Sequence, residues 1–352
     1  MIENSKVLVT GGAGFIGSNL VDRLLAQNNQ VVCLDNFSTG KLENLEKALN
    51  NPEFILIEGD IRNYDDCRKA VAGCTCVLHQ AALGSVPRSI ADPVTSADVN
   101  IGGFVKMMFA AKDEGVGRFV YASSSSVYGD HSGLPKVEHQ IGKALSPYAV
   151  TKYADELLAA NFSAMYGIET VGLRYFNVFG PRQDPSGAYA AVVPKFINSI
   201  INHENLQVFG DGTFSRDFTY IENVLQAIQL AASAPSSMIN ERQQTYYKRS
   251  QELCVPGVSD TIAEVFNTAV GQYTTIAELA DTLKQILARF DHTLAHVDVT
   301  YRPARPGDVP HSMASCEKSQ AILGYRPTHT ISQGLEETCK WYWQRAYLNV
   351  RQ

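Results

Sequence analysis

Residues 6 to 17 read Lys6-Val-Leu-Val-Thr-Gly-Gly-Ala-Gly-Phe-Ile-Gly17, an apolar strand running straight into Gly11-x-x-Gly14-x-x-Gly17 and then an amphipathic stretch from Ser18 to Gln27. Strand, glycine turn and helix in that order constrain the chain more than any other feature. Glycine at positions 11 and 14 lets the backbone turn tightly and approach phosphates without a Cβ in the way, and Gly17 lets the helix pack close to the strand. The helix N-terminus then faces an anion. A second apolar strand, Gln30-Val-Val-Cys-Leu-Asp35, ends in a carboxylate placed to accept hydrogen bonds from an adenosine ribose. That carboxylate repels a 2′-phosphate. The pattern predicts a dinucleotide site preferring NAD to NADP.

Up to about residue 176 apolar strands alternate with helical stretches. Strands are expected near 6–11, 30–35, 53–58, 75–79, 117–123 and 169–174, with helices near 15–27, 40–50, 63–72, 91–115 and 147–166. Continuous apolar runs such as Arg118-Phe-Val-Tyr-Ala122, joined by helices, predict a doubly wound α/β domain of the Rossmann type whose parallel sheet is covered on both faces. Ligands then lie beyond the carboxyl ends of the strands. After Asn177 the alternation loosens, which marks a smaller C-terminal substrate-binding lobe. We place the first domain at 1–180, with segments near 215–235 and 263–275 returning to it, and the lobe in most of 181–352. Within the lobe, helices are expected near 189–203, 221–234, 275–290 and 331–345, and short strands at 206–209, 264–268 and 297–300. Residues 235–262, polar and without either period, read as a long surface excursion.

Composition excludes several classes. A net charge of -6 over 352 residues offers no basic field for nucleic acid. No run of 18 apolar residues occurs and no apolar leader precedes the first strand, so a cytoplasmic protein without membrane spans is expected. The seven cysteines are scattered and lack the spacing of zinc ligands, which predicts reduced structural thiols and no metal. Trp341-Tyr342-Trp343 reads as core packing at the end of a helix.

Tyr148-Ala-Val-Thr-Lys152 opens a helical stretch, and a spacing of four puts both side chains on one face, one turn apart. A phenol is a poor base at neutral pH, but an ammonium and a positively charged nicotinamide ring both favour its phenolate. Four serines, Ser123 to Ser126, end the fifth strand, where hydroxyls can reach a substrate oxygen beside the tyrosine.

Together these features resemble the extended short-chain dehydrogenase/reductase family, over nearly the whole chain outside 235–262. Within it the sequence looks most like nucleotide-sugar 4-epimerases, especially the bacterial UDP-N-acetylhexosamine 4-epimerases. The resemblance rests on the glycine motif, Leu34-Asp-Asn-Phe-Ser-Thr-Gly40, Gly59-Asp60-Ile61, His79-Gln-Ala-Ala82, Asn100, Ser124, Tyr148-x-x-x-Lys152, Arg174-Tyr-Phe-Asn-Val-Phe-Gly-Pro181, Ser215-Arg-Asp217 and Arg305-Pro-Gly-Asp308. It implies catalysis by Ser124, Tyr148 and Lys152, and a tightly bound NAD regenerated in each cycle. The cofactor contacts it implies are Gly11, Gly14, Phe15, Ile16, Gly17, Asp35, Asn36, Ser38, Thr39, Gly40 and Asn100, with Asp60 and Ile61 beside the adenine. Ala81 and Ala82 would pass under the phosphates, and Tyr175 and Val178, with Tyr148 and Lys152, would shape the nicotinamide end. For a UDP-sugar it implies Asn177, Arg216, Arg305 and Asp308 at the UDP half, and Ser85, Ser124, Ser125, Ser126, Tyr148 and Ser312 around the sugar. It also implies a homodimer, in which stretches 91–115 and 147–166 pair across a two-fold axis.

The same residues bear on three other functions. A 4,6-dehydratase in this family carries an Asp-Glu pair after the strand-end hydroxyl, where this chain has Ser125 and Ser126, and a serine cannot take a C5 proton. UDP-hexuronate 4-epimerases and decarboxylases share the oxidation and the UDP pocket, and Arg88 could meet a C6 carboxylate. A non-catalytic NAD-binding regulator on this fold commonly lacks the tyrosine or lysine, and both are present. The resemblance further places Ser312, four positions after Asp308, against the sugar C2 substituent, where a tyrosine excludes an N-acetyl group and a serine admits it.

Overall fold

The computed structural model describes residues 1–186, 190–250, 261–304 and 309–350. Seven parallel strands form the central sheet: β1 (Lys6–Thr10), β2 (Gln30–Asp35), β3 (Phe54–Glu58), β4 (Cys76–His79), β5 (Arg118–Ser124), β6 (Glu169–Tyr175) and β7 (Ala263–Thr268). Their order is β7-β6-β5-β4-β1-β2-β3, so the winding direction reverses between β1 and β4 and opens a crevice there. Successive β1 residues face opposite cores. Val7 and Val9 pack with the helix Phe15–Leu25, whereas Leu8 packs with the helices Phe104–Asp113 and Pro147–Tyr166. Both faces are therefore apolar, which is why the strands read as unbroken hydrophobic runs.

The helix expected near 91–115 begins at Pro93, after Asp92, whose side chain accepts from Thr95 N at 3.0 Å, and runs to Asp113 with its middle, Asp98–Gly103, wound as a π-helix. A separate short helix, Val86–Ala91, precedes it. One expectation is corrected. Residues 236–250 are not a loop excursion but the helix Ser236–Ser250, which buries Ile239 and Tyr246. It sits against the helix Glu317–Leu323, an element the apolar periodicity did not announce. A buried ion pair from Lys318 to Glu264, 2.6 Å, backs that contact, and the Tyr247 hydroxyl reaches the same carboxylate at 3.1 Å. Residues 251–260 of the predicted excursion lie outside the described residues.

Beyond the sheet, Leu206–Phe209 pairs in parallel with Val299–Arg302, and Val178–Phe179 with Thr219–Tyr220. Ser215–Arg216 pairs antiparallel with Thr274–Thr275, which opens the helix Ile276–Leu287 through a reciprocal Thr275–Glu278 cap. The six described cysteines are buried free thiols, and burial pushes Cys33 and Cys67 up to about 12. Among the described residues no helix is long and apolar enough to cross a membrane.

Candidate active site

A cleft of about 300 Å³ opens at the carboxyl ends of β1, β2 and β4. Of the residues expected to hold a dinucleotide, Gly11, Gly14, Phe15, Ile16, Gly17, Asp35, Asn36, Ser38, Thr39, Asp60, Ile61, Ala81 and Ala82 line it. The glycine requirement is steric. Gly11 sits at φ 68°, where a Cβ would lie 2.7 Å from Ala81 N, and a Cβ on Gly17 would lie 2.1 Å from Gly11 O. Gly14 caps the helix Phe15–Leu25 without a side chain, so the first N–H groups of that helix remain available to an anion.

Asp35 is buried, and its oxygens accept from Ala13 N and Phe37 N, both at 2.8 Å. Burial raises its pKa against those two bonds. Each oxygen keeps a second lone pair for a ribose hydroxyl. Gly40 lies behind it, where a Cβ would come within 3.0 Å of Asp35 Oδ1. Asp60 is engaged differently: Arg62 and Asn36 hold its carboxylate and pull it down to about 2, the Arg62 hydrogen bond leading.

Leu34, Gly59, Gln80, Leu83, Gly84 and Val99 also line the cleft, although sequence reasoning did not select them. Gln80 stood inside the quoted His79-Gln-Ala-Ala82 motif. Its Oε1 accepts from the Tyr175 hydroxyl at 3.0 Å, while its buried Nε2 has no partner. Asn100 does not line the cleft. It accepts from Leu83 N at 2.8 Å and donates to Thr151 Oγ1 at 3.0 Å, clamping the cleft wall to the helix Pro147–Tyr166.

That helix starts at the Ser146 cap, and Tyr148 N donates to Ser89 Oγ at 3.0 Å. Ser89 lies within the short helix Val86–Ala91, which is capped by Ser85 at φ 105°, so the segment bearing Ser85 is tied directly to Tyr148. Tyr148 is half-buried, and Lys152 is buried with its ammonium 3.0 Å from Ala122 O and 3.2 Å from Asp155 Oδ2. Ala122 precedes Ser124 by two residues at the end of β5. Ser124 Oγ accepts from Ser126 N at 3.2 Å, which leaves its hydrogen free to donate, and the buried Ser126 Oγ has no partner. Ser125 begins the tight turn Ser125–Tyr128. Glu156, which no sequence expectation includes, completes a spacing of four after Tyr148 and Lys152. Its carboxylate accepts from Arg174 Nε and Nη2 at 2.9 and 2.8 Å.

On the other side of the crevice Asn177, at φ 35°, donates to Asp217 O at 3.1 Å, and Val178 begins the next strand. Arg216 donates to Pro310 O at 3.2 Å, and Ser312 N to Ser215 O at 3.1 Å, so Ser312 lies beside the strand that carries Arg216. Arg305 and Asp308 lie outside the described residues.

A model of the NAD dependent epimerase/dehydratase family matches residues 7–244. The chain belongs to this family. A solved UDP-N-acetylglucosamine 4-epimerase from Methanobrevibacter ruminantium M1, in complex with UDP-N-acetylmuramic acid, is 35% identical with a TM-score of 0.85, covering 98% of this chain and 100% of that one. The UDP-glucuronic acid 4-epimerase from Bacillus cereus, in complex with UDP-glucuronic acid and NAD, is 30% identical with a TM-score of 0.80, covering 97% and 99%. A putative UDP-glucose 4-epimerase of Methanocaldococcus jannaschii is 32% identical over 337 residues, 95% of this chain and 97% of its own. The family's cofactor is NAD, and the cleft fits it: the glycine floor has no room for a Cβ, and the orphaned Gln80 amide supplies an unused donor.

Asp35→Ala should weaken NAD binding about tenfold or more, because it removes a charge-assisted acceptor and unties Ala13 and Phe37. NADP should lose less. Calorimetric titration of both dinucleotides checks this, and equal losses would remove Asp35 from the ribose.

Proposed function

We propose that this chain inverts C4 of a UDP-N-acetylhexosamine, interconverting UDP-GlcNAc and UDP-GalNAc. What carries the reading is Tyr148 and Lys152 on adjacent turns at the sheet end, with the lysine held on β5 just before Ser124. NAD bound in the cleft supplies a hydride acceptor that returns the hydride within the same cycle. Tyr148 takes the proton from the sugar O4 hydroxyl, and Ser124 donates its free hydrogen to the same oxygen. The resulting 4-keto sugar turns about its diphosphate linkage, so that the hydride would return to the opposite face of C4 while Tyr148 gives the proton back to O4. Acid-base help of this kind contributes about 10²- to 10⁴-fold.

Arg216 and Asn177, with Arg305 and Asp308, suit a nucleotide diphosphate, since a guanidinium fork matches phosphate oxygens and a carboxylate matches ribose hydroxyls. The sugar preference rests on Ser312, whose small side chain leaves room for an acetamido group. A second reading is C4 inversion of a UDP-hexuronate. It draws on Arg88, whose backbone N–H bonds Ser85 Oγ at 3.4 Å one turn into the helix beside Tyr148. Proton NMR of each UDP-sugar incubated with the protein reports inversion, dehydration and decarboxylation separately. Inversion of UDP-glucuronate in preference to UDP-GlcNAc would replace the first reading with the second.

We also propose a homodimer. Ile90, Val94, Val150 and Leu157 are large apolar side chains exposed on the segments 86–97 and 147–166, a face suited to a second copy. Sedimentation should show a dimer at micromolar concentration, and a monomer there would refute it.

Tyr148→Phe should keep the fold and bound NAD but lower kcat by about 10³-fold or more, since it removes the proton-transferring oxygen alone. Turnover within a few-fold of wild type would take Tyr148 out of the mechanism. Ser312→Tyr should sharply cut kcat/KM for UDP-GlcNAc and UDP-GalNAc while largely sparing UDP-Glc and UDP-Gal. Equal losses for acetylated and plain sugars would mean that Ser312 only shapes its turn.

A further inference from the structure

Asp155 lies within the helix Pro147–Tyr166, completely shielded from solvent. Its Oδ2 is 3.2 Å from the Lys152 ammonium, and its Oδ1 has no hydrogen-bond partner. The adjacent acid differs. Glu156 is matched by the Arg174 guanidinium and also receives the Ser123 hydroxyl. Of two neighbouring buried carboxylates, one has its own arginine, and the other has only the ammonium that the proposed reaction uses.

We propose that Asp155 is the positioning residue of the catalytic lysine: its carboxylate holds the Lys152 ammonium against Ala122 O and offsets part of the positive field that reaches Tyr148. This rests on the assignment of Tyr148 and Lys152 as the proton-handling pair. An ammonium has three hydrogens, and two are committed to Ala122 and Asp155, which leaves one for the cofactor side.

The surrounding charges leave this balance to Lys152 and Asp155. On β4, burial and the Lys152 charge push His79 down to about 3, so it stays neutral. On β5, burial pushes Tyr121 far up, with Glu156 and Asp155 adding to the rise, and it too stays neutral. Arg174 on β6 is matched by Glu156, and Glu264 on β7 by Lys318. Burial raises Asp155 to about 6, with the Lys152 charge and hydrogen bond opposing and Glu156 assisting. Its charge therefore changes in the range where the enzyme would be assayed.

Asp155→Asn keeps the shape and removes the offsetting charge. The ammonium then favours the phenolate more strongly, so the acid limb of the kcat profile should move to lower pH by roughly half a unit to one unit. Asp155→Glu should hold the limb near its wild-type place. A uniform fall in kcat at every pH, with the limb unmoved, would reduce Asp155 to packing and overturn the proposal. The second measurement needs no turnover and is a thermal cycle from pH 5 to 8. An acid whose pKa is raised by folding loses stability as pH rises through its folded value. Lys152→Gln should therefore lose Tm increasingly above about pH 6, where Asp155 must ionise without a cation, and adding Asp155→Asn should abolish that extra loss. A Lys152→Gln curve parallel to wild type would refute the pairing. If Lys152→Gln instead kept full turnover, the catalytic assignment would fall, while the thermal cycle would still decide the ion pair.

Discussion

The bidentate contact between Arg174 on β6 and Glu156 on the helix Pro147–Tyr166 sets where that helix lies over the sheet. Both partners are buried, Arg174 also stacks over the Tyr128 ring at 4.8 Å, and Ser123 of β5 donates to the same carboxylate. A buried pair of this kind contributes little net stability, yet removing one partner costs about 3–5 kcal/mol, so it enforces geometry more than it adds strength. At 3.6 residues per turn, fixing position 156 places 152 and 148 on the same face on successive turns toward the sheet's carboxyl end. Lys152 thereby meets Ala122, and Tyr148 stands a turn further out, beyond the strand. The side chains proposed to handle the proton take their positions from a charge pair outside that proposed chemistry.

The cofactor side is built on a different principle. There the backbone of one strand end is pressed against that of another, with Gly11 against Ala81, and Thr10 Oγ1 accepts from Ala81 N at 3.2 Å. Side-chain charge matters less than the absence of side chains. Asn100 joins the two halves, because one amide bonds Leu83 in the cleft wall and Thr151 on the tyrosine-bearing helix. A shift of that helix would be felt at the cleft through a single buried residue.

These two principles explain what the sequence disclosed. The glycine turn, the six strands up to β6 and the Tyr148-to-Lys152 spacing were legible because each is a local pattern with one dominant physical cause. Within the helix that fills 91–115, the π-wound middle at Asp98–Gly103 was not legible, because a one-residue change of pitch leaves no period in so short a run. The helix Ser236–Ser250 was missed because it buries few residues, Ile239 and Tyr246, and is anchored by polar contacts to Glu264, which have no period. Asp155 was invisible for a related reason. Next to Glu156 it reads as one more acid on a helix, and only the burial of both and the assignment of Arg174 to one of them show which acid depends on Lys152.

The segments proposed to meet the substrate are held by a buried carboxylate that binds backbone alone. Asp217 accepts from Val270 N at 3.1 Å, Gly271 N at 3.0 Å and Ala314 N at 3.1 Å, joining segments remote in sequence. Burial pushes it up to about 7, and those N–H groups pull the other way. Because its partners are main-chain groups, the staple places no demand on the side chains of the segments it gathers. Arg216 and Ser312 flank the staple on two of them. On the proposed assignment of Arg216 and Ser312, the frame can stay constant while the residues that meet the sugar change, in keeping with one architecture shared by relatives named for glucose, glucuronate and N-acetylglucosamine. Specificity on such a frame is a property of the few side chains it presents, so identity over the whole chain carries the reaction class further than it carries the choice of sugar.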